Sequence, residues 1–387
     1  MASNLIYFNN AATSWPKPQK VIEEVNTSLV KPYQEHGRTT DQSLLDYPKL
    51  TRKKLARFFN SSKPQNFIFT SNATDSLNLL IHGFREHKNE KIHVITSELE
   101  HNSVLRPLNT LQKNDKITLS VVPSDDNGYV TLDAIKQVIQ SHTELMVLNH
   151  GSNVLGTVQD IDTIGKYLQK ENIFFIVDTA QTAGHVKIDL KKTPVDALVF
   201  TGHKAMYGFQ GIGGFYISGP ELIESYKQGG TGVFSEYPFH PQEMPLKFEY
   251  GTHNYPGIVS LYAGLQFIEE IGLDALKKKT DEMTHYIIEE FEKIENVVLY
   301  NRSPDLPLIP FDINGMDQDD VGFLLQNQFN IMTRTGLHCA PLVHKKIDDG
   351  RGCVRASLSY FNTLEECDYF VDAVRKIAES VLLRSTV

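Results

Sequence analysis

The sequence predicts an α/β fold, with a large domain built on a mostly parallel, doubly wound sheet and a small α+β domain after it. Three observations lead there. Runs 145–148, 172–179 and 197–200 are apolar at almost every position, the pattern of strands covered on both faces. Helical segments alternate with them, and strand, helix, strand at this spacing implies right-handed parallel crossovers. Two of the runs lead into charge, at Asp178 and Lys204, so polar groups gather at the carboxyl edge, where open α/β sheets bind ligands.

At 387 residues the chain exceeds the size at which one core stops growing; residues 17–255 are expected to form the large domain, and residues 1–16 with 256–387 the small one. Hydrophobic residues at 41% and charged residues at 22% exclude a disordered chain. A net charge of −9 without any basic run excludes nucleic acid as the main partner. No apolar stretch approaches the ~20 residues of a membrane helix, and Met1-Ala-Ser-Asn-Leu-Ile6 has neither a basic start nor an apolar core, so no membrane and a cytoplasmic location are expected. Three cysteines, Cys339, Cys353 and Cys367, are an odd number near one end, unlike a disulfide framework.

In chain order, residues 7–16 are a loop of short side chains, able to lie over a pocket or to form a surface arm. Pro18 opens a helix through Val30. His36-Gly-Arg38 precedes a helix over 44–59 whose Lys and Arg residues read as a solvated face. A strand from Asn66 ends in a polar turn before a helix, whose unpaired N–H groups offer an anion site; the plainer reading is N-capping by Asn72 or Thr74. Strand 91–96 leads to His101 at a helix start, where a lone histidine is usually a cap or a surface residue, although an imidazole's adjustable pKa suits proton transfer if a resemblance calls for it. Strand 145–148 runs into a loop that places Asn153 beside a cofactor oxygen or a substrate carboxylate, and helix 161–169 returns the chain to the Asp178 strand. Residues 211–217 form another strand, whose glycines do not make G-x-G-x-x-G before a helix, so a dinucleotide fingerprint is absent. After a Gly/Pro-rich connection over 228–245, Pro256 starts a bridging helix, and 273–295 carries the core stripe Leu276, Met283, Ile287, Phe291 and Ile294. Strands at 297–300, 308–313 and 331–334 and a helix over 317–329 follow. In the final helix, after Thr363, the stripe Leu364, Cys367, Phe370, Val371 and Val374 makes Cys367 a packing thiol.

Lys204 stands between a buried strand and a glycine-rich turn. A partly desolvated amine there has a lowered pKa and can form a Schiff base with an aldehyde. Singly, a lysine after a strand is more often a solvated charge and an aspartate such as Asp178 a cap. Together, with Gln181 and His203 flanking, they favour pyridoxal 5'-phosphate: the lysine holds the aldehyde, and the carboxylate keeps the pyridine nitrogen protonated. Thr201 and His203, next to Lys204, are the second phosphate contacts.

Arg334-Thr-Gly-Leu-His-Cys-Ala-Pro-Leu-Val-His344 is a second chemical centre. Cys339 lies among His338, Arg334, His344 and Lys345, an electropositive setting that favours the thiolate. The alternatives are an inert thiol and a zinc site from His338, Cys339 and His344; the latter lacks a second paired cluster at the usual spacing, and no metal is expected. Cys353, in a strand-like context, is expected to be buried.

Val177-Asp-Thr-Ala-Gln-Thr-Ala-Gly-His185, Thr201-Gly-His-Lys204 and Arg334-Thr-Gly-Leu-His-Cys-Ala-Pro341 resemble the class V aminotransferase superfamily, nearest its cysteine desulfurase and selenocysteine lyase branch, with a type II-like loop. The likeness runs from Tyr7-Phe-Asn-Asn-Ala-Ala-Thr13 to Arg355-Ala-Ser-Leu358, nearly the whole chain. It implies a fold type I pyridoxal-phosphate-dependent transferase with the phosphate at Ala73 and Thr74, His101 stacked on the ring, and Thr252 reaching the phosphate of a partner subunit in a homodimer. It also implies L-cysteine as substrate, its carboxylate held by the Arg355 fork, Lys204 moving the Cα proton, and Cys339 taking the sulfur as a persulfide for a protein acceptor, leaving alanine. Leu337 stands where many type II members carry histidine, which bears on acceptor choice. The alternatives are a selenocysteine lyase, C–S lyase or aminotransferase on the same scaffold, or a catalytically silent sulfur- or phosphate-binding homologue.

Overall fold

The structure, a computed structural model, describes residues 5–32, 44–86 and 90–385. His36-Gly-Arg38 lies outside the described residues. The chain opens with β1 (Ile6–Tyr7), α1 (Gln19–Leu29) and α2 (Tyr47–Phe58), the last started by Asp46, which accepts the Lys49 N–H, and by a proline in its first turn. The large sheet and its helices follow: β2 (Phe67–Thr70), α3 (Ala73–Glu86), β3 (Ile92–Ser97), α4 (Asn102–Lys113), β4 (Ile117–Val122), α5 (Leu132–Val138), β5 (Thr143–Asn149), α6 (Ile161–Lys170), β6 (Phe174–Asp178), β7 (Ala197–Thr201) and β8 (Gly213–Ile217).

These strands form one seven-stranded sheet in the order β2-β8-β7-β6-β5-β3-β4, parallel throughout except for β8, which runs antiparallel to both neighbours. The uninterrupted apolar runs have a direct cause. Met146, Leu148, Phe175, Val177, Leu198 and Phe200 face one cluster, with residues of α1, α2, α5 and α6. The alternating Leu145, Val147, Phe174, Ile176, Ala197 and Val199 face a second, under α3 and α4. Each large side chain taken from water there contributes about 1.5–3 kcal/mol, which fixes the register. In that register Asn149 pairs with Asp178, and Asp178 with Val199, so the carboxyl ends of β5, β6 and β7 lie nearly level.

Beyond the sheet, α7 (Tyr255–Ile271) buries Ile258, Val259, Leu261 and Leu265 in the first of these cores. A separate core gathers Phe8, α8 (Leu273–Phe291), β9 (Val297–Leu299), β10 (Leu308–Ile313), α9 (Gln318–Phe329), β11 (Ile331–Met332), β12 (Val354–Ser357) and α11 (Leu364–Ser385). Here β12-β10-β9 is antiparallel, and β11 pairs with β1 in parallel. A short helix, α10 (Pro341–Ile347), precedes β12. Among the described residues no helix is long and apolar enough to cross a membrane.

Several local expectations change. Edge strand β4 and helix α5 were not evident in the sequence; three of the middle positions of β4 are only half-buried and one is exposed, so its apolar signal is diluted. The basic face of α2 is not wholly solvated, because Arg52 lies over the Phe69 ring and pairs with buried Glu249 at 2.6 Å. The strand expected over 331–334 pairs only at its first two residues, after which the chain bridges to β12. Cys367 is fully buried with Phe370, Val371 and Val374, whereas Leu364, in the first turn of α11, is exposed.

Candidate active site

A cavity of about 230 Å³ opens at the carboxyl edge of the large sheet and brings together groups distant in sequence. From the sheet come Asn149, Asp178 and Thr201; from the loops beyond it Asn153, Gln181, His203 and Lys204; from helix starts Ala73, Thr74 and His101. Arg334, His338 and Arg355, from β12 and the loop between β11 and α10, close another side, and Ala11 and Ala12 of the N-terminal arm also line it. The arm is therefore part of the pocket wall.

The α3 N-terminus reaches the cavity through a close approach. A Cβ on Gly213 of β8 would meet Asn72 Cα at 2.7 Å, so only glycine there lets the turn before α3 pack on the strand. Asn72 does cap the helix, accepting the Asp75 N–H at 2.9 Å, and the first turn still faces the pocket. Capping and anion binding are compatible here.

Burial pulls the Lys204 amine down to about 8, opposed by Asp178 and assisted by Arg355 and Arg334. Its neutral form is thus accessible near physiological pH. Burial raises the Asp178 carboxyl, while the Ala180 N–H, at 2.9 Å, and Lys204 pull the other way. His101 is held neutral: burial first, then Lys204 and three arginines, bring it down to about 4. Its Nδ1 accepts the Ser103 N–H at 3.0 Å as the α4 cap, which orients the ring. His203 is lowered to about 4 by burial and then by Lys204 and Lys17, and Gln181 donates to the Ala11 carbonyl at 3.2 Å.

Arg355 is the most unusual group. It is 1% exposed, its Nη1 donates to the Asn153 carbonyl at 2.6 Å, and its Nε and Nη2 have no partner. Burial, then Arg334, lower its pKa to about 9. A buried guanidinium with free donors and a second arginine nearby calls for an anion, and a carboxylate fits its fork. Asn153 donates to the His338 carbonyl at 2.6 Å and keeps its own Oδ1 unpartnered.

Cys339 stands at the cavity's rim rather than among its lining groups. Two successive left-handed residues, His338 at φ 47° and Cys339 at φ 61°, turn the loop, and the Cys339 carbonyl accepts the Asn102 N–H at 2.7 Å. Arg334 Nη2 lies 3.6 Å from its sulfur. The electropositive setting expected from sequence is differently composed: His344 is turned away into a buried pair with Asp348 at 2.5 Å, while Lys204 and Arg355, with Arg334, are the cations that act on Cys339. Thr252 is exposed and does not line this chain's cavity.

Sequence reasoning missed Arg334 and Asn149 as pocket groups, and Glu100 altogether. Glu100 is fully buried, accepts from Ser97 Oγ at 2.6 Å and Asn149 N–H at 3.0 Å, and burial raises it to about 8. Nothing in Glu98-Leu-Glu-His101 distinguishes it from a surface acid, since its partners at Asn149 and Asp178 come from the ends of β5 and β6, distant in sequence.

The residues fit pyridoxal phosphate on features of the cavity itself. Thr201 Oγ1 and His203 Nδ1 are buried without partners beside the α3 N-terminus, a cradle for phosphate, and the Asp178 carboxyl lacks a cation in contact, as a pyridinium would supply. A doubly wound sheet with this amine, acid and phosphate cradle at its carboxyl edge is that of a fold type I pyridoxal-phosphate-dependent enzyme. Residues 6–370 match the family model "Aminotransferase class-V", and the chain belongs to that family. It is 31% identical to a probable cysteine desulfurase of Pyrococcus abyssi, covering 98% of this chain and 96% of the relative, and 31% identical to one of Borreliella burgdorferi, covering 97% and 92%. Among solved structures it resembles the apo cysteine desulfurase of Thermococcus onnurineus NA1, with a TM-score of 0.90, 31% identity and coverage of 97% and 95%. It also resembles the cysteine desulfurase CsdA of Escherichia coli, with a TM-score of 0.89, 25% identity and the same coverage.

Proposed function

We propose that this chain is a pyridoxal-phosphate-dependent cysteine desulfurase that converts L-cysteine to L-alanine and takes the sulfur on Cys339 as a persulfide. The observation that carries the reading is one thiol, Cys339, set at the rim of a pocket that holds both an amine of lowered pKa and a buried arginine without an anion. Ala73, Thr74, Thr201 and His203 would hold the phosphate, Asp178 the ring nitrogen, and Asn153, Gln181 and His101 the face and edge of the ring. Bound there, pyridoxal phosphate supplies an aldehyde for an amine and a ring that accepts an electron pair released at Cα.

The chain's own groups account for the rest. Arg355 takes the substrate carboxylate in its free fork and Asn153 steadies it. Lys204, neutral when its proton has left, removes the Cα proton and holds it within reach of the substrate carbons. Neutral His101 is placed to relay a proton. The Cys339 thiolate attacks the substrate sulfur: an S–S bond forms, the Cβ–S bond breaks, and its electron pair stays with the carbon fragment. A proton, the one given up by the Cys339 thiol, is added at Cβ to give the methyl group, and Lys204 returns its proton to Cα to give alanine. Arg334 steadies the anionic sulfur. The persulfide then passes to a protein acceptor reaching the rim.

Thr252, exposed and outside its own chain's pocket, suits a contact to a second subunit's phosphate, and hence a homodimer. Three free cysteines suit a reducing compartment, the cytoplasm.

The test uses Cys339→Ser. It should retain pyridoxal phosphate and amino-acid binding yet lose alanine formation from cysteine by roughly 10²-fold or more, and the wild type should carry one extra sulfur on the Cys339 peptide. Near wild-type alanine production by the serine form, or the adduct on Cys353 or Cys367, sinks this reading in favour of a C–S lyase, selenocysteine lyase or aminotransferase.

A further inference from the structure

We propose that His338, His344 and Cys353 form a structural site for a zinc-class divalent ion beneath the Cys339 loop. The three residues lie on different parts of the chain, the loop before α10, α10 itself and the residue just before β12, and all are buried. One donor atom from each lies within 4.8 Å of the others, and Cys353 Sγ is 3.6 Å from His338 Nε2, close to the separation of about 3.5 Å between N and S ligands on a tetrahedral zinc.

His344 is prepared as a ligand. Its Nδ1 is paired with the buried Asp348 carboxylate at 2.5 Å, while its Nε2 is buried with no partner. A carboxylate on one ring nitrogen is the arrangement that orients metal-binding histidines through the other. His338 likewise keeps its Nδ1 buried and unpartnered, and its Nε2 lies 3.0 Å from the Cys353 carbonyl oxygen. A cation among these donors would satisfy the orphaned His344 Nε2 and bind the Cys353 sulfur, with His338 Nε2, now shared between that sulfur and the Cys353 carbonyl, as the third ligand.

Two imidazoles and a thiolate select zinc or a similar borderline metal over magnesium or calcium. Binding would release the Cys353 proton to solvent, with a water molecule in the fourth position. The zinc set that the sequence reading set aside contained Cys339, whose left-handed turn sends it to the cavity rim; Cys353, just before β12, lies beside the histidines instead. The ion would brace the two left-handed residues that set Cys339, and it stands independently of which sulfur or selenium substrate the pocket takes.

Holoenzyme is purified by gel filtration and its metals are counted by mass spectrometry. About one zinc per chain is expected in the wild type and in Cys339→Ser. Cys353→Ser and His344→Asn should lose it, and Asp348→Asn should bind roughly 10–100-fold more weakly in chelator competition. Because these positions are buried, cobalt exchanged into the wild type gives a reading without mutation: tetrahedral bands to the red of cofactor absorbance and a thiolate charge-transfer band support the site. A wild type that carries no zinc and takes up neither metal overturns it. So does zinc that persists in Cys353→Ser, or that leaves with Cys339→Ser.

Discussion

Lys204 and Cys339, the two residues the proposed function rests on, are held beside one pocket by two different kinds of support. Lys204 follows the interior strand β7, with β6 and β8 bonded on either side and helices over both faces, so its position is inherited from the cores on the two faces of the large sheet. Cys339 sits on a turn of two left-handed residues between β11 and α10, held by single hydrogen bonds and the buried groups beneath it. The difference teaches a division of labour. A group that acts on the cofactor must keep one geometry through every step, which an interior strand provides. On the proposed mechanism the thiol must later give up its sulfur and so has to be reached from outside; Cys339 is half-exposed while Cys353 and Cys367 are buried.

The largest expected effect breaks the rigid half. Lys204→Ala should abolish the visible absorbance of lysine-bound cofactor and lower alanine formation by roughly 10²–10⁴-fold, the usual worth of a positioned proton-transfer group. The fold should stay intact, because a group whose charge is penalised by burial is not a structural support. A variant that keeps both the absorbance and the rate would show that another lysine serves. If it instead fails to fold, by circular dichroism, the separation drawn between support and chemistry is wrong.

A smaller effect sharpens the comparison where the two halves meet. Arg355 belongs to β12 but donates to Asn153 of the large sheet's loop, so it bridges them. Arg355→Lys keeps the charge and loses the fork; KM for cysteine should rise by an amount corresponding to about 2 kcal/mol, with absorbance unchanged. Steady-state kinetics decide it. An unchanged KM would move carboxylate binding to Arg334.

The same contrast explains what the sequence disclosed. The sheet was legible because strands covered on both faces leave uninterrupted apolar runs, and the residues ending them, Asp178 and Lys204, stand out against that background. Asn153, Gln181 and Thr201 could be placed because each is near such an end. The loop was legible only in part. Cys339 and Arg355 were identifiable, yet their surroundings depend on which residues the β1–β11 and β10–β12 pairings bring together, and spacing along the chain carries no trace of that. Hence His344 was grouped with Cys339 when Asp348 and Cys353 are its neighbours, and Glu100 passed unnoticed.

The smallest effect is a pH dependence of stability that belongs to the sheet half. His101, His150 and His203 are each lowered from 6.5 to about 4, in every case chiefly by burial. Below pH 6.5 the unfolded chain takes up protons that these rings refuse until about pH 4, so the unfolded state binds more protons across that window. Stability from these groups is therefore fully present above 6.5 and is lost as pH falls towards 4. His150 is 4% exposed, with Nδ1 2.8 Å from Thr182 Oγ1, and contributes a slope of up to about 1.4 kcal/mol per pH unit there. Urea midpoints of the holoenzyme should be flat with respect to these rings above pH 6.5 and fall below it, and His150→Gln should make the fall shallower by one proton's worth. A midpoint that holds constant down to about pH 4, or a slope untouched by the His150 substitution, would mean that these rings accept protons without opening the sheet's edge.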